Sequence, residues 1–102
     1  MPNFSNESTE RLFRAIAVLR DPEEIRAFFE DICTIKEIKD MAQRLDTAIL
    51  LDQGMSYQKI AEKVGVSTTT ITRVNRSLTY GSNGYRAALD RMAETESENE
   101  DK

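Results

Sequence analysis

Ser56–Leu78 reads SYQKIAEKVGVSTTTITRVNRSL, two short amphipathic segments around one glycine. Ser56 is placed to cap the first helix. Ile60, Ala61 and Val64 share its inner face at a period of 3.6. Ala61 is small enough for a second helix to cross closely. Gly65 follows four residues later, where the chain must turn with positive φ, and Val66 plugs the turn. Ser67 caps the second helix, and Ile71 and Val74 bury against the first. This spacing predicts a helix-turn-helix, two roughly perpendicular helices joined by a short glycine-containing turn.

The outward face of the second helix carries the functional signal. Thr68, Thr69 and Thr72 put short hydroxyls near its N-terminus, the end that enters a major groove in this motif. A threonine hydroxyl donates or accepts, and its methyl can touch a thymine methyl. Threonines are poor helix formers, so a cluster of them is costly unless the surface has a task. Arg73 and Arg76 reach for phosphate or guanine. Gln58, Lys59 and Lys63 lie on the first helix, where backbone contact is expected, and Ser67 sits at the positive end of the second helix dipole.

The rest of the chain continues the helical pattern. Ser8–Arg11 opens a helix with Leu12, Phe13, Ile16 and Leu19 on one face. Asp21-Pro22-Glu23-Glu24 restarts the helix with a cap, a proline at the first position and acids at the positive dipole end. Ile25, Phe28, Phe29 and Ile32 follow as its expected buried stripe. Thr34-Ile35-Lys36-Glu37 reads as a capping box. The third and longest helix has Ile35, Ile38, Met41, Ala42, Leu45, Ala48 and Ile49 on one face and ends at Gly54. Helices 1–3 show too many large apolar positions for one small monomer and are expected to form a dimer interface. Tyr80–Gly84 is a turn, and 83–93 a last amphipathic helix with Tyr85, Ala88, Leu89 and Met92. Residues 94–102 have no apolar residue and are expected to be a disordered acidic tail. The fold expected is all-α, about six helices in a single domain over residues 1–93.

The 102 residues carry a net charge of −4, and 39% are apolar. The charge is uneven. Residues 56–86 hold Lys59, Lys63, Arg73, Arg76 and Arg86 against Glu62 alone, so a basic segment lies between acidic flanks. With no histidine, Ser-His and Cys-His nucleophile pairs are excluded, as are histidine metal ligands. The single cysteine, Cys33, can form no internal disulfide and suits a reducing compartment. No apolar run is long enough to span a membrane, and the N-terminus has neither a basic start nor an apolar stretch. A cytoplasmic protein with no metal, no cofactor and no enzymatic activity is therefore expected. Glu37 and Asp40, beside Lys36 and Lys39, read as a solvated ion-pair face rather than a catalytic carboxylate pair.

Gly54-Met55-Ser56, Thr70-Ile71-Thr72-Arg73 and Ser77-Leu78 resemble the tryptophan-repressor superfamily, in particular its YerC/YecD-type branch. The resemblance covers Lys36 to Met92, and the earlier helices agree in order and spacing. It implies an all-α intertwined homodimer whose two recognition helices address a palindromic operator. It also implies a ligand site beside the recognition helix, where the namesake repressor binds tryptophan. Arg44 matches the family arginine on the ligand's carboxylate side, Arg73 the arginine that stacks on the indole, and Ser77 the serine near the amino group. The residue after Thr-Ile-Thr-Arg is glycine in the namesake and Val74 here. The valine side chain fills the space an indole needs. Tryptophan is therefore not expected as corepressor, leaving no effector or an unidentified small molecule beside Arg44 and Arg73.

These readings converge on a transcriptional regulator, a repressor by resemblance, that binds double-stranded DNA as a homodimer. Its DNA-binding residues would be Gln58, Lys59, Lys63, Ser67, Thr68, Thr69, Thr72, Arg73 and Arg76. The rival reading uses the same helix-turn-helix to dock a protein, without specific DNA binding.

Overall fold

The computed structural model describes residues 6–100. Among them are six α-helices and no strand: α1 (Glu7–Ala17), α2 (Pro22–Ile32), α3 (Ile35–Asp52), α4 (Tyr57–Val64), α5 (Thr68–Tyr80) and α6 (Gly84–Glu100). The all-α class and the helix count agree with the sequence reading.

Local chemistry sets most of the helix starts. Asn6, one of the strong capping residue types, opens α1: its side chain accepts from the Thr9 amide at 2.9 Å and the Thr9 hydroxyl accepts in return, so the helix begins ahead of Ser8. Asp21 accepts from the Glu24 amide at 2.9 Å ahead of Pro22. Before α3 the Thr34–Glu37 box forms in both directions, at 2.8 and 3.0 Å. Its reciprocal bonds satisfy amides that a helix start otherwise leaves unpaired. The bond from the Thr34 amide holds the Glu37 carboxyl below its ordinary range.

Two compact units divide the described chain, one up to Asp40 and one from Met41, where the sequence reading took residues 1–93 as one. The first unit contains α1, α2 and the start of α3. Neither α1 nor α2 has a buried residue, contrary to the stripe expected for α2. Phe13 is 47% exposed and Ile32 54%, while Phe28 and Phe29 meet edge to face and are half-buried. The physical reason is size: folded units below about 40 residues usually lack enough surface to bury and lean on an oligomeric partner.

The second unit has a core. Ala48 from α3, Val74 from α5 and Leu89 from α6 form a buried cluster, with Leu45, Ile49, Leu51, Leu78 and Tyr85 packed around it. Ile60 and Ile71 are fully buried where α4 packs on α5. Thr47 is also fully buried, and its hydroxyl donates to the Gln43 carbonyl at 2.8 Å. That bond within the helix removes the cost of an unpaired buried hydroxyl.

Beyond Leu89, α6 corrects the expected boundary. The segment from Glu94, expected to be disordered, is helical through Glu100, and Asp101 and Lys102 lie outside the described residues. Glutamate and alanine are good helix formers, and extending a formed helix is far cheaper than starting one. Met92 is 39% exposed and Ala88 is exposed, so the apolar face of α6 packs mainly through Tyr85 and Leu89.

Candidate nucleic-acid interface

The helix-turn-helix forms as its sequence dictates. Ser56 accepts from the Lys59 amide at 3.3 Å to start α4. Gly65 ends α4 in the left-handed region at φ 83°, its amide donating to the Ala61 carbonyl. Ser67 then accepts from the Thr70 amide at 3.1 Å to start α5. With Ile71 and Val74 buried beneath it, α5 has one orientation of its faces, and this decides which side chains point outward.

Thr68, Thr69, Thr72, Arg73 and Arg76 are exposed on α5, and Gln58, Lys59 and Lys63 are exposed on α4. Ser67 is exposed too, but its hydroxyl is occupied by the cap. Thr70 is half-buried, and its hydroxyl meets that of Ser67 at 3.2 Å. Thr70 therefore belongs to the helix start, whereas Thr68, Thr69 and Thr72 belong to the outer surface. The Thr72 hydroxyl donates to the Thr68 carbonyl at 2.9 Å, which leaves its lone pairs for an outside donor. Among the described residues, the ion pairs are Lys36–Asp40, Arg86–Asp52 and Arg86–Asp90. None of them engages Lys59, Lys63, Arg73 or Arg76. The cations of this face are free to meet an outside anion.

The four residues matched to a ligand site also come together. Arg44, Arg73, Val74 and Ser77, with Thr70 and Tyr85, line a cavity of about 260 Å³ between α3, α5 and α6. Arg44, Arg73 and Ser77 are exposed at its edge. Val74 is only 3% exposed and belongs to the core cluster, so its side chain occupies the floor. Sequence reasoning missed Tyr85 here, having placed it only on an amphipathic face.

It missed a second feature as well. The Arg86 guanidinium donates to both carboxylate oxygens of Asp52, at 2.7 and 3.0 Å, and to Asp90 at 3.1 Å. The guanidinium donors hold the Asp52 carboxyl below its ordinary range, and the accepting Asp52 carboxylate pushes the Arg86 guanidinium higher still. No local pattern links residues 34 positions apart.

Residues 7–93 match the family profile described as Trp repressor protein. The chain is 50% identical over 93 residues to the uncharacterized protein YerC of Bacillus subtilis (strain 168), covering 91% of this chain and 89% of YerC. It is also similar to the crystal structure of a TrpR like protein from Eubacterium eligens ATCC 27750. That match has a TM-score of 0.83 and 47% identity, over 87% of this chain and 92% of the other. The three agree with one another and with the helix-turn-helix residues above: the chain belongs to the Trp repressor family, in its YerC-type branch.

Proposed function

We propose that this protein is a transcriptional regulator, a repressor in the manner of its family, that binds operator DNA as a homodimer. The observation that carries this reading is the outer face of α5. Thr68, Thr69, Thr72, Arg73 and Arg76 stand exposed and without ion pairs on a helix seated by Ile71 and Val74. The N-terminal half of α5 enters the major groove, with the threonines at base edges and Arg73, Arg76, Lys59 and Lys63 on phosphates.

The dimer is supported by the first unit. Leu12, Phe13, Ile25 and Ile32 are exposed by 36–54% on helices that have no fully buried residue. A second copy offers the same apolar faces and satisfies two-fold symmetry. Two recognition helices then address half-sites about one helical turn apart.

Tryptophan is not its corepressor on this reading, because Val74 holds the floor of the cavity where an indole would lie. The protein acts on cytoplasmic DNA either without an effector or with a different small molecule beside Arg44 and Arg73.

Selection from randomised duplexes, followed by affinity measurement across a salt series, tests the central reading. With about six phosphates neutralised per dimer, log affinity falls with a slope near −5 against log salt. Absence of duplex binding at low salt, with a stable protein complex in its place, would instead establish the helix-turn-helix as a protein-docking module.

A further inference from the structure

Asp52 is the last residue of α3 and Arg86 lies in the first turn of α6. Everything between them is the helix-turn-helix and its two flanking turns. The pair that joins them is bidentate, at 2.7 and 3.0 Å. We propose that the Asp52–Arg86 pair pins the two ends of the helix-turn-helix together and is a positioning element for DNA recognition, a role that rests on the DNA-binding reading above.

Three features support the assignment. The first is topology. The ion pair closes a loop whose ends are already near each other through Ala48, Val74 and Leu89, so it adds an orientation constraint rather than bringing distant ends together. The planar guanidinium meets both carboxylate oxygens, which fixes the direction of approach as a single lysine ammonium could not. The second is what adjoins each end. After Asp52 the chain turns through Gly54, at φ 84°, into the cap of α4. Before Arg86 it turns through Asn83, at φ 68°, out of α5. Both turns hold one residue in the left-handed region, and the pair spans both. The third is the neighbour of Arg86. Tyr85 packs on the core cluster and lines the cavity against α5, so a rotation of the first turn of α6 would move that wall.

Asp90 has a different part. It meets Arg86 at 3.1 Å within α6, but it touches neither α3 nor α5 in an ion pair and so joins no two helices. The Arg86 and Asp52 side chains are 38% and 39% exposed, so the effect is graded and is screened by salt. The pin adjusts the angle of a motif that folds without it.

Amide hydrogen exchange on the full-length chain without DNA reads this directly. Arg86→Gln and Asp52→Asn are each expected to speed exchange in residues 57–80 about fivefold, while the fully buried stretch of α3 around Ala48 changes less. The double variant should exchange no faster than either single one, and Arg86→Lys should recover part of the protection. Asp90→Asn should leave the 57–80 protection near that of the natural chain. Unchanged protection in Arg86→Gln, additive effects in the double variant, or an equal effect of Asp90→Asn would overturn the proposal. On DNA, Arg86→Gln should lose more affinity for the selected duplex than for random duplex, since a misaimed helix keeps its phosphate attraction. Equal losses on the two duplexes would remove the positioning role. If the exchange results hold and the natural chain binds no duplex, the pin stands and only the DNA reading falls.

Discussion

Val74 and Ala48 lie in one buried cluster, the first 3% exposed and the second fully covered, and of the two Val74 lines the cavity beside α5 as its floor. On the proposed reading, this side chain takes the place beside α5 that a ligand would otherwise fill. Titration with tryptophan followed by calorimetry should therefore give no binding in the low-micromolar range. Val74→Gly should open the floor at a cost of about 3 kcal/mol, from lost burial and the flexibility of glycine in a helix.

On the proposed reading, the outer surface of α5 divides into base readers and phosphate holders. Thr69→Ala should change the ranking of duplexes recovered by selection, with modest loss on random sequence. Lys63→Ala should weaken all duplexes alike and lower the salt slope by about 1 for each protomer. An unchanged ranking for Thr69→Ala would count against groove entry by this face.

Gly65 has no heavy atom near the place its Cβ would take, and its φ is 83°. A side chain there meets no clash, only the left-handed backbone cost. Gly65→Ala should lower stability by about 1–2 kcal/mol without altering packing. Ser67→Ala, which removes the cap of α5, should cost about 1 kcal/mol. Chemical denaturation with unchanged m-values would confirm both as local effects.

Asp52 titrates below its ordinary value of 3.8 because Arg86 donates to it. The unfolded chain therefore binds a proton at a pH where the folded one does not. The stabilisation from this group is present in full above 3.8 and disappears as pH falls through the lower, folded value. Melting temperature followed from neutral pH down to about 2 should fall less steeply in Asp52→Asn than in the natural chain, with the difference confined to the acid end.

The exposed stripe of the first unit should make association sensitive to charge. Phe13→Asp, at a position 47% exposed, should shift the mass seen by analytical ultracentrifugation from two copies toward one. A sedimentation mass that stays at two would place the interface elsewhere.

Much of this protein was legible in order along the chain. The caps Asp21, Thr34, Ser56 and Ser67, the turn glycines Gly54 and Gly65, and the buried positions Ile60, Ile71 and Val74 all act within a few residues of themselves. Hydrogen bonds from an amide to a side chain three residues back, and a helical period of 3.6, are local physics. They need no knowledge of what else is nearby, and with them came the outward face of α5.

Tertiary structure alone decided what depends on distant residues meeting. Thr47 is fully buried although nothing in its immediate sequence asks for it, and Phe13 is not buried although its stripe does. The burial of a side chain is set by which surfaces close over it, and those surfaces are far away in sequence. Tyr85 on the cavity wall and Arg86 on Asp52 are of the same kind. Sequence determined where each helix begins, turns and faces; the meeting of α3, α5 and α6 decided which of those faces became core, cavity or pin, because contact energy depends on distance in space and not on separation along the chain.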